Sequence, residues 1–199
     1  MGIKNAEFVK SSTRLKECPK NKLPEFVFMG RSNVGKSSLI NMLVNNKKLS
    51  KTSSKPGKTQ LINHFLINSN FYFVDLPGYG WAQVSKSKRK EWEKMINNYI
   101  LNSKMIVLIF ILVDVRLKPQ KIDIENINFI GKNNLPLNII FTKCDKISSS
   151  LINKNIDSFF IELSNYWSEK PNYFISSSNK NLGKDEIEKH IFRVNKSLN

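Results

Sequence analysis

The chain has 199 residues, of which 40% are hydrophobic and 24% are charged, a composition that fits one globular domain and excludes a disordered chain. Thirty-two Lys and Arg against 16 Asp and Glu give a formal charge of +16, which favours a polyanionic partner, with nucleic acid ahead of a membrane surface. The longest apolar run, at 105–113, is too short to span a bilayer, and no lipidation signal is recognisable.

The N-terminus and the cysteines bear on location. Residues 1–12 lack the apolar core of a secretory signal, so we expect a cytoplasmic protein. Cys18 and Cys144 make neither a disulfide framework nor a metal cluster with His64 or His190, and we expect both thiols to be reduced.

The order of apolar runs predicts the fold. An N-terminal extension, 1–22, contains a candidate edge strand at 7–12. From residue 25 onward strand-like runs alternate with helical periodicity, which predicts an α/β domain over 23–199, with a mixed, mostly parallel sheet flanked by helices on both faces. The runs at 61–67 and 71–76 are separated by Asn-Ser-Asn and predict a hairpin. Further strands are expected at 25–29, 105–113, 137–142 and 172–176, and helices around 36–44, 92–100, 124–130, 151–163 and 184–197.

The stretch GRSNVGKS at 30–37 matches the phosphate-loop pattern G-x-x-x-x-G-K-[ST]. Its position between a strand and a helix favours phosphate binding over an ordinary exposed turn, because backbone N–H groups and the helix dipole then face the phosphates. Lys36 can reach the outer phosphates and the Ser37 hydroxyl can ligate Mg²⁺. The residues expected to contact nucleotide are Gly30, Arg31, Ser32, Asn33, Val34, Gly35, Lys36 and Ser37.

DLPGYG at 75–80 follows the second strand of the hairpin. Asp75 at a strand end can hold Mg²⁺ through a water molecule, and the Gly78 N–H can meet a terminal phosphate. Alone, the pattern is more simply an Asp-Pro-Gly turn. Together with the phosphate loop it predicts a switch element, with Asp75, Leu76, Pro77 and Gly78 at the nucleotide.

TKCD at 142–145 indicates which base is bound. Guanine presents a ring N–H and an exocyclic amine that one ionised carboxylate, Asp145, can accept together. Lys143 can lay its aliphatic stem along the base. Thr142, Lys143, Cys144 and Asp145 are therefore expected at the base. The serine turn at 176–178 can offer N–H groups to the guanine carbonyl, although it reads equally well as a helix N-cap.

The order and spacing of these motifs resemble the Ras-like, translation-factor-class P-loop GTPases, and more closely the EngB family (also called YihA or YsxC) of bacterial ribosome-assembly GTPases. The closer resemblance rests on GRSNVGKSSLIN, SKPGKTQLINHF, FVDLPGYGWA, DVR, TKCDK and FISSSNKNLGKDE. It implies a Ras-like domain that binds GTP or GDP with Mg²⁺, hydrolyses GTP, and acts on the large ribosomal subunit or its precursor and its RNA. It further implies a link to cell division and septation.

The resemblance also assigns residues that the sequence alone does not single out. Thr59, which otherwise reads as a strand-entry residue, would be the switch threonine that covers Mg²⁺. The candidate catalytic residues are then Lys36, Thr59 and Asn33, and the metal ligands are Ser37, Thr59 and, through water, Asp75. The additional residues implied to line the nucleotide are Gly57, Lys58, Thr59, Gln60, Leu61, Ile175, Ser176 and Ser177.

Two departures from the broader GTPase pattern bear on hydrolysis. Tyr79 stands where many GTPases carry the glutamine that orients the attacking water, so slow intrinsic hydrolysis is expected. Asn33 lies where some GTPases without that glutamine help to bind K⁺, and we hypothesise that K⁺ supplies part of the missing charge. The simpler interpretation is that Asn33 stabilises the loop. Thr142 replaces a commoner asparagine but is usual in the EngB family.

A basic segment follows the switch glycines. Residues 80–94 carry five Lys or Arg beside Trp81, and the pattern is typical of a solvated helix face or of an RNA contact. The basic stretch KHIFRVNK near the C-terminus is a second candidate surface. We expect a monomeric switch enzyme; the alternative is a nucleotide-regulated binding module for a protein or membrane partner, in which hydrolysis is incidental. An ATP-dependent enzyme is disfavoured by Asp145.

Overall fold

The computed structural model describes residues 2–50, 61–80 and 85–198, with Lys86 by its backbone alone. Gly57, Lys58, Thr59, Gln60 and Trp81 lie outside the described residues. The described strands are β1 (Ala6–Ser12), β2 (Glu25–Gly30), β3 (Ile62–Ile67), β4 (Phe71–Asp75), β5 (Ile106–Asp114), β6 (Leu137–Thr142) and β7 (Tyr173–Ile175). The α-helices are α1 (Lys36–Leu43), α2 (Lys86–Asn102), α3 (Lys121–Lys132), α4 (Ser149–Leu163) and α5 (Lys184–Lys196), with short 3₁₀ turns at Leu15–Glu17 and Cys144–Lys146.

The strands form one sheet in the order β1-β3-β4-β2-β5-β6-β7. β3 runs antiparallel to both of its neighbours, and the other pairings are parallel. The predicted α/β fold with a mixed, mostly parallel sheet is confirmed. The β3–β4 hairpin turns through Asn68 and Ser69, both with positive φ, as tight hairpin turns of matching twist require. β1 lies at the sheet edge against β3.

Helices cover both faces of the sheet because β2 alternates between two cores. Phe26 and Phe28 face a core with α1 and α5, whereas Val27 and Met29 face a core with α2, α3 and α4. All four side chains are at most 1% exposed. Such two-sided burial explains why the parallel strands read as continuous apolar runs rather than alternating ones.

The topology gathers the chemically distinctive residues at one edge. β2, β4, β5, β6 and β7 run in the same direction, so their carboxyl ends meet there. Gly30, Asp75, Asp114, Thr142 and Ile175 are the last residues of these strands. In open α/β sheets ligands bind outside the carboxyl ends of the strands, so this edge is where a site is expected.

The described part of the chain contains no helix both long and apolar enough to cross a bilayer. Cys18 and Cys144 are buried and free of a disulfide, consistent with the reduced thiols expected. Burial raises the pKa of the Cys18 thiol to about 11, which keeps it protonated and unreactive at neutral pH.

Candidate functional site

The phosphate loop connects β2 to α1, and its shape depends on three residues. Asn33 and Gly35 have φ of 63° and 105°, and α1 begins directly afterwards at Lys36. A Cβ on Gly30 would lie 2.9 Å from the Leu112 carbonyl oxygen, so only glycine fits against β5 there. The loop therefore has the tight backbone and the helix N-terminus that a phosphate group needs.

A buried hydroxyl without a partner lies inside this loop. The Ser32 Oγ is buried and makes no hydrogen bond within the described residues. Gly78 packs on it so closely that a Cβ would lie 2.9 Å from that oxygen. An orphaned buried hydroxyl is uncommon in a native fold, and here it marks a position at which a ligand oxygen would complete the bonding.

The phosphate loop and the DLPGYG segment meet at Asp75. The Lys36 ammonium forms an ion pair with Asp75 Oδ1, and the Ser50 hydroxyl donates to Asp75 Oδ2 at 3.2 Å. Asp75 is only 5% exposed, so both carboxylate oxygens depend on these partners. Ser37 follows Lys36 in the first turn of α1, and its hydroxyl makes no hydrogen bond to any described residue. A carboxylate and a hydroxyl are the oxygen ligands that Mg²⁺ prefers, so the site fits that ion.

A second junction holds Tyr79 against the loop. The Ser32 N–H donates to the Tyr79 carbonyl at 2.9 Å, and the Tyr79 N–H donates to the Gly30 carbonyl at 3.2 Å. The Arg31 Nε and the Tyr79 hydroxyl both donate to Asp123 of α3, at 3.1 and 2.9 Å. Arg31 therefore borders the site with its backbone while its guanidinium is held by α3.

Asp123 is fully buried, and burial raises its pKa although Tyr79 and Arg31 lower it. Burial and the neighbouring Asp123 raise the pKa of Tyr79 well above its ordinary value. The Tyr79 phenol is therefore neutral and already donating, and it offers no base to activate a water molecule.

The carboxylate of Asp145 is held by three donors. The Ser177 hydroxyl donates to Asp145 Oδ1 at 2.7 Å, and the Asn179 amide and the Lys146 ammonium lie 3.3 Å from Oδ2. The hydrogen bond from Ser177 is the largest cause of the lowered pKa of Asp145. Asp145 is thus an ionised, oriented carboxylate, as pairing with the two guanine donors requires.

Lys143 links the TKCD motif to the phosphate loop. Its ammonium donates to the Asn33 carbonyl at 2.6 Å and pairs with Asp114 Oδ2 at 2.9 Å. Burial alone would raise the pKa of Asp114, but hydrogen bonds from Arg116 and Lys143 lower it to about 2. The Lys143 stem therefore has a fixed path between the two motifs, along which a base can pack.

Thr142, the last residue of β6, anchors the phosphate loop although β5 lies between β6 and β2. Its hydroxyl donates to the Val34 carbonyl at 2.7 Å and also lies 3.2 Å from the Val113 carbonyl. Thr142 thus ties the loop to the end of β6, beside the end of β5.

The serine turn is more restricted than its sequence indicates. The Ser176 N–H donates to the Phe141 carbonyl at 2.8 Å and the Ser177 N–H donates to the Leu182 carbonyl at 3.1 Å. Of the three serines, only the Ser178 N–H is without an acceptor among the described residues, so that group is left for a guanine carbonyl. Gly183 closes the turn with φ of 77°, and a Cβ there would lie 2.2 Å from the Ile175 carbonyl oxygen.

The structure brings together most of the residues that the sequence singled out. The phosphate loop, Asp75 to Gly78, the TKCD motif and the serine turn share one edge; Leu61 lies just before β3, and Gly57 to Gln60 are outside the described residues. Sequence reasoning missed Ser50 and Asp123, for which no local signal exists. Asp114 belongs to the matched DVR stretch, and Asn179 and Gly183 belong to FISSSNKNLGKDE, but the sequence assigned no role to any of the three.

A glycine-rich phosphate loop, an acidic strand end that Lys36 ties to this loop, and a TKCD motif that Lys143 ties to it are the arrangement of a P-loop guanine-nucleotide-binding domain. A protein-family model described as a 50S ribosome-binding GTPase matches residues 25–143, more than half of the chain. The probable GTP-binding protein EngB of Christiangramia forsetii is 52% identical to this chain over 198 residues, and the alignment covers 100% of both chains. Its counterpart from Flavobacterium johnsoniae is 50% identical over 199 residues, covering 100% of this chain and 95% of that protein. The chain belongs to the EngB family of GTP-binding proteins.

Solved structures agree with this assignment. The crystal structure of a probable GTP-binding protein engB matches with a TM-score of 0.68 and 25% identity, covering 87% of this chain and 99% of that one. Aquifex aeolicus Era bound to GDP·AlF4⁻ matches with a TM-score of 0.67 and 24% identity over 87% of this chain and 57% of that one, a likeness of fold alone.

Proposed function

We propose that this chain is a Mg²⁺-dependent monomeric switch in the cytoplasm that hydrolyses GTP to GDP and phosphate, slowly when alone, and whose triphosphate form binds the large ribosomal subunit or its precursor. The nucleotide role is supported mainly by Lys143, whose ammonium contacts both Asn33 and Asp114. These contacts fix the position of the TKCD motif, proposed to bind the base, relative to the phosphate loop. The ribosomal role is supported by the family model's description and by the formal charge of +16.

Each part of the site has a role in this proposal. The phosphate loop binds the phosphates through its N–H groups, and Lys36 neutralises the outer ones. Ser37, Asp75 through water, and Thr59 would hold Mg²⁺, which supplies positive charge to the outer phosphate oxygens when bound. Asp145 and Lys143 select and flank the guanine.

Slow hydrolysis follows from the contacts of Tyr79. Its hydroxyl donates to Asp123, a fully buried carboxylate on α3. Hence the position after the D-x-x-G motif supplies no group that could orient water, and a partner would have to supply the missing catalytic contact.

Potassium would act through Asn33 in this scheme. The backbone carbonyl of Asn33 accepts a hydrogen bond from Lys143. Its side chain is exposed, and the amide oxygen would bind K⁺ beside the phosphates. GTPase rates in K⁺ are expected to exceed those in Na⁺ by about tenfold, equivalent to roughly 1.4 kcal/mol of transition-state stabilisation. Steady-state phosphate release in matched chloride buffers, with and without ribosomal subunits, measures this effect. Equal rates would leave Asn33 with the structural role alone.

The first turns of α2 are the favoured ribosomal surface. Lys88, Arg89, Lys90 and Lys94 are exposed there, close in sequence to the DLPGYG segment. A basic helix face next to a nucleotide-dependent segment can bind RNA phosphates in a state-dependent way.

Sedimentation with large ribosomal subunits tests the proposal. The protein with a non-hydrolysable GTP analogue is expected to co-sediment, and with GDP to remain in the supernatant. Replacing Lys88 and Lys90 by Glu should reduce the slope of log affinity against log salt by about 2, because two phosphate contacts are lost. Acidic residues near a helix N-terminus are tolerated, so the variant should fold.

The matched control is Lys132→Glu with Lys154→Glu, which changes the net charge equally on exposed positions of α3 and α4. Unchanged binding by the α2 variant would exclude α2, and a loss confined to Lys189→Glu with Lys196→Glu would place the surface on α5. Binding that is independent of nucleotide, or absent, would contradict the ribosomal switch and favour a binding module for another partner.

A further inference from the structure

Ser50 is a buried residue at the metal-binding carboxylate that neither the motifs nor the comparisons assign. It is 2% exposed, and its hydroxyl donates to Asp75 Oδ2 at 3.2 Å. It directly precedes residues 51–60, which include Thr59. Asp75 therefore has one partner from the phosphate loop, Lys36 on Oδ1, and one partner from outside it.

The position of the Ser50 hydroxyl is set by a single amide. Asn41 of α1, which is 8% exposed, accepts from the Ser50 N–H at 2.8 Å and donates to the Ser50 carbonyl at 2.9 Å. The same amide also donates to the Lys47 carbonyl at 3.2 Å. Because Asn41 hydrogen-bonds both the N–H and the C=O of Ser50, the backbone of Ser50 is fixed and its hydroxyl is directed toward Asp75.

The two partners of Asp75 differ in what bound nucleotide would do to them. Lys36 has a competing acceptor, since its ammonium is expected at the outer phosphates of a bound nucleotide. Ser50 is held by Asn41, on the buried side of α1, and has no such competitor. When Lys36 leaves Oδ1, the bond from Ser50 to Oδ2 remains and prevents the carboxylate from rotating.

We propose that Ser50 is a positioning residue for the magnesium site: it fixes the Asp75 carboxylate so that Oδ1 faces the metal-bound water. The inference rests on the proposed function, because it assumes that Asp75 serves Mg²⁺ there. Residues that orient a metal's ligands contribute substantially to its affinity, and their loss typically lowers it about 10- to 100-fold.

The test measures release of fluorescent mant-GDP as a function of Mg²⁺ concentration. Ser50→Ala should release mant-GDP at the wild-type rate in EDTA but require about tenfold more Mg²⁺ for half-maximal slowing of release. Ser12→Ala is the matched control, because Ser12 is 1% exposed and its hydroxyl donates at the same 3.2 Å, to the Glu17 carbonyl. That control should show the wild-type Mg²⁺ dependence.

A double-mutant cycle shows whether Ser50 acts through Asp75. Asp75→Ala removes the acceptor, so Ser50→Ala should change the Mg²⁺ dependence less than twofold in that background. An additional loss of similar size to that in the wild-type background would overturn the proposal.

The remaining outcomes separate Ser50 from the metal site as a whole. Wild-type and Ser50→Ala curves that coincide would overturn the role of Ser50 while leaving the metal site in place. Faster release by Ser50→Ala to the same extent in EDTA and in Mg²⁺ would show a purely structural residue, which also overturns it. A wild-type rate of mant-GDP release that does not change with Mg²⁺ concentration would overturn the proposed metal role itself.

Discussion

Replacing Asp145 by asparagine is expected to lower the affinity for GDP by about a thousandfold. In the proposed complex the carboxylate, oriented by Ser177 and Asn179, would accept from the ring N–H and the exocyclic amine of guanine. Each hydrogen bond to a charged group contributes about 1.5–3 kcal/mol, and asparagine loses the charge and sets its own NH₂ against the guanine amine. Two such bonds account for roughly 3–6 kcal/mol.

Titration calorimetry with GDP and xanthosine diphosphate measures the effect. Xanthine carries a carbonyl where guanine has its amine, so Asp145→Asn should bind the xanthine nucleotide more tightly than the wild-type protein does. Asp157→Asn, at an exposed position of α4, removes the same charge and should leave both affinities unchanged. GDP affinity within twofold of wild type would refute the assignment of Asp145 to the base.

Replacing Lys36 by alanine is expected to affect binding and folding at the same time. The ammonium is lost from the outer phosphates, which should weaken GTP binding at least about a hundredfold, with a smaller effect on GDP. The same change leaves Asp75 as an unpaired buried carboxylate, since the two side chains are only 12% and 7% exposed. Breaking a buried pair by removing one partner costs about 3–5 kcal/mol of the free energy of unfolding.

The double variant Lys36→Ala with Asp75→Asn separates these two effects. Asparagine removes the unpaired charge, so chemical denaturation should show most of the lost stability regained. Calorimetric titration with GTP should show no recovery of affinity, because neither phosphate nor metal contacts return. Recovered GTP binding in the double variant would mean that Lys36 acts on Asp75 alone.

The parts of the site that follow from local chemistry were predictable from the sequence. The phosphate loop needs a residue that tolerates a large positive φ directly before a helix, and the sequence GRSNVGKS provides Gly35 at that position, with α1 beginning at Lys36. The apolar runs that flank the motifs become parallel strands, whose carboxyl ends share an edge. Grouping Asp75 and Asp145 there required only the strand order.

Contacts between distant residues were not predictable. Arg31 and Asp123 are 92 positions apart, and no local pattern indicates that α3, which starts at Lys121, buries an acid against the phosphate loop. The serine turn shows the same limit. Its N–H groups look equivalent in the sequence, and only the pairing of β6 with β7 and the closing Gly183 determine which are already bonded.

The hydrogen bonding of β3 on both sides fixes its register in the sheet. β1 pairs with one edge of β3 and β4 with the other, with Asn63 opposite Asp75. A slide by one residue would have to break both ladders together and turn Phe65 and Ile67 out of the core. The N-terminal strand thereby fixes the register of the β3–β4 hairpin, which holds Asp75 at a constant position relative to the start of β3 at Ile62.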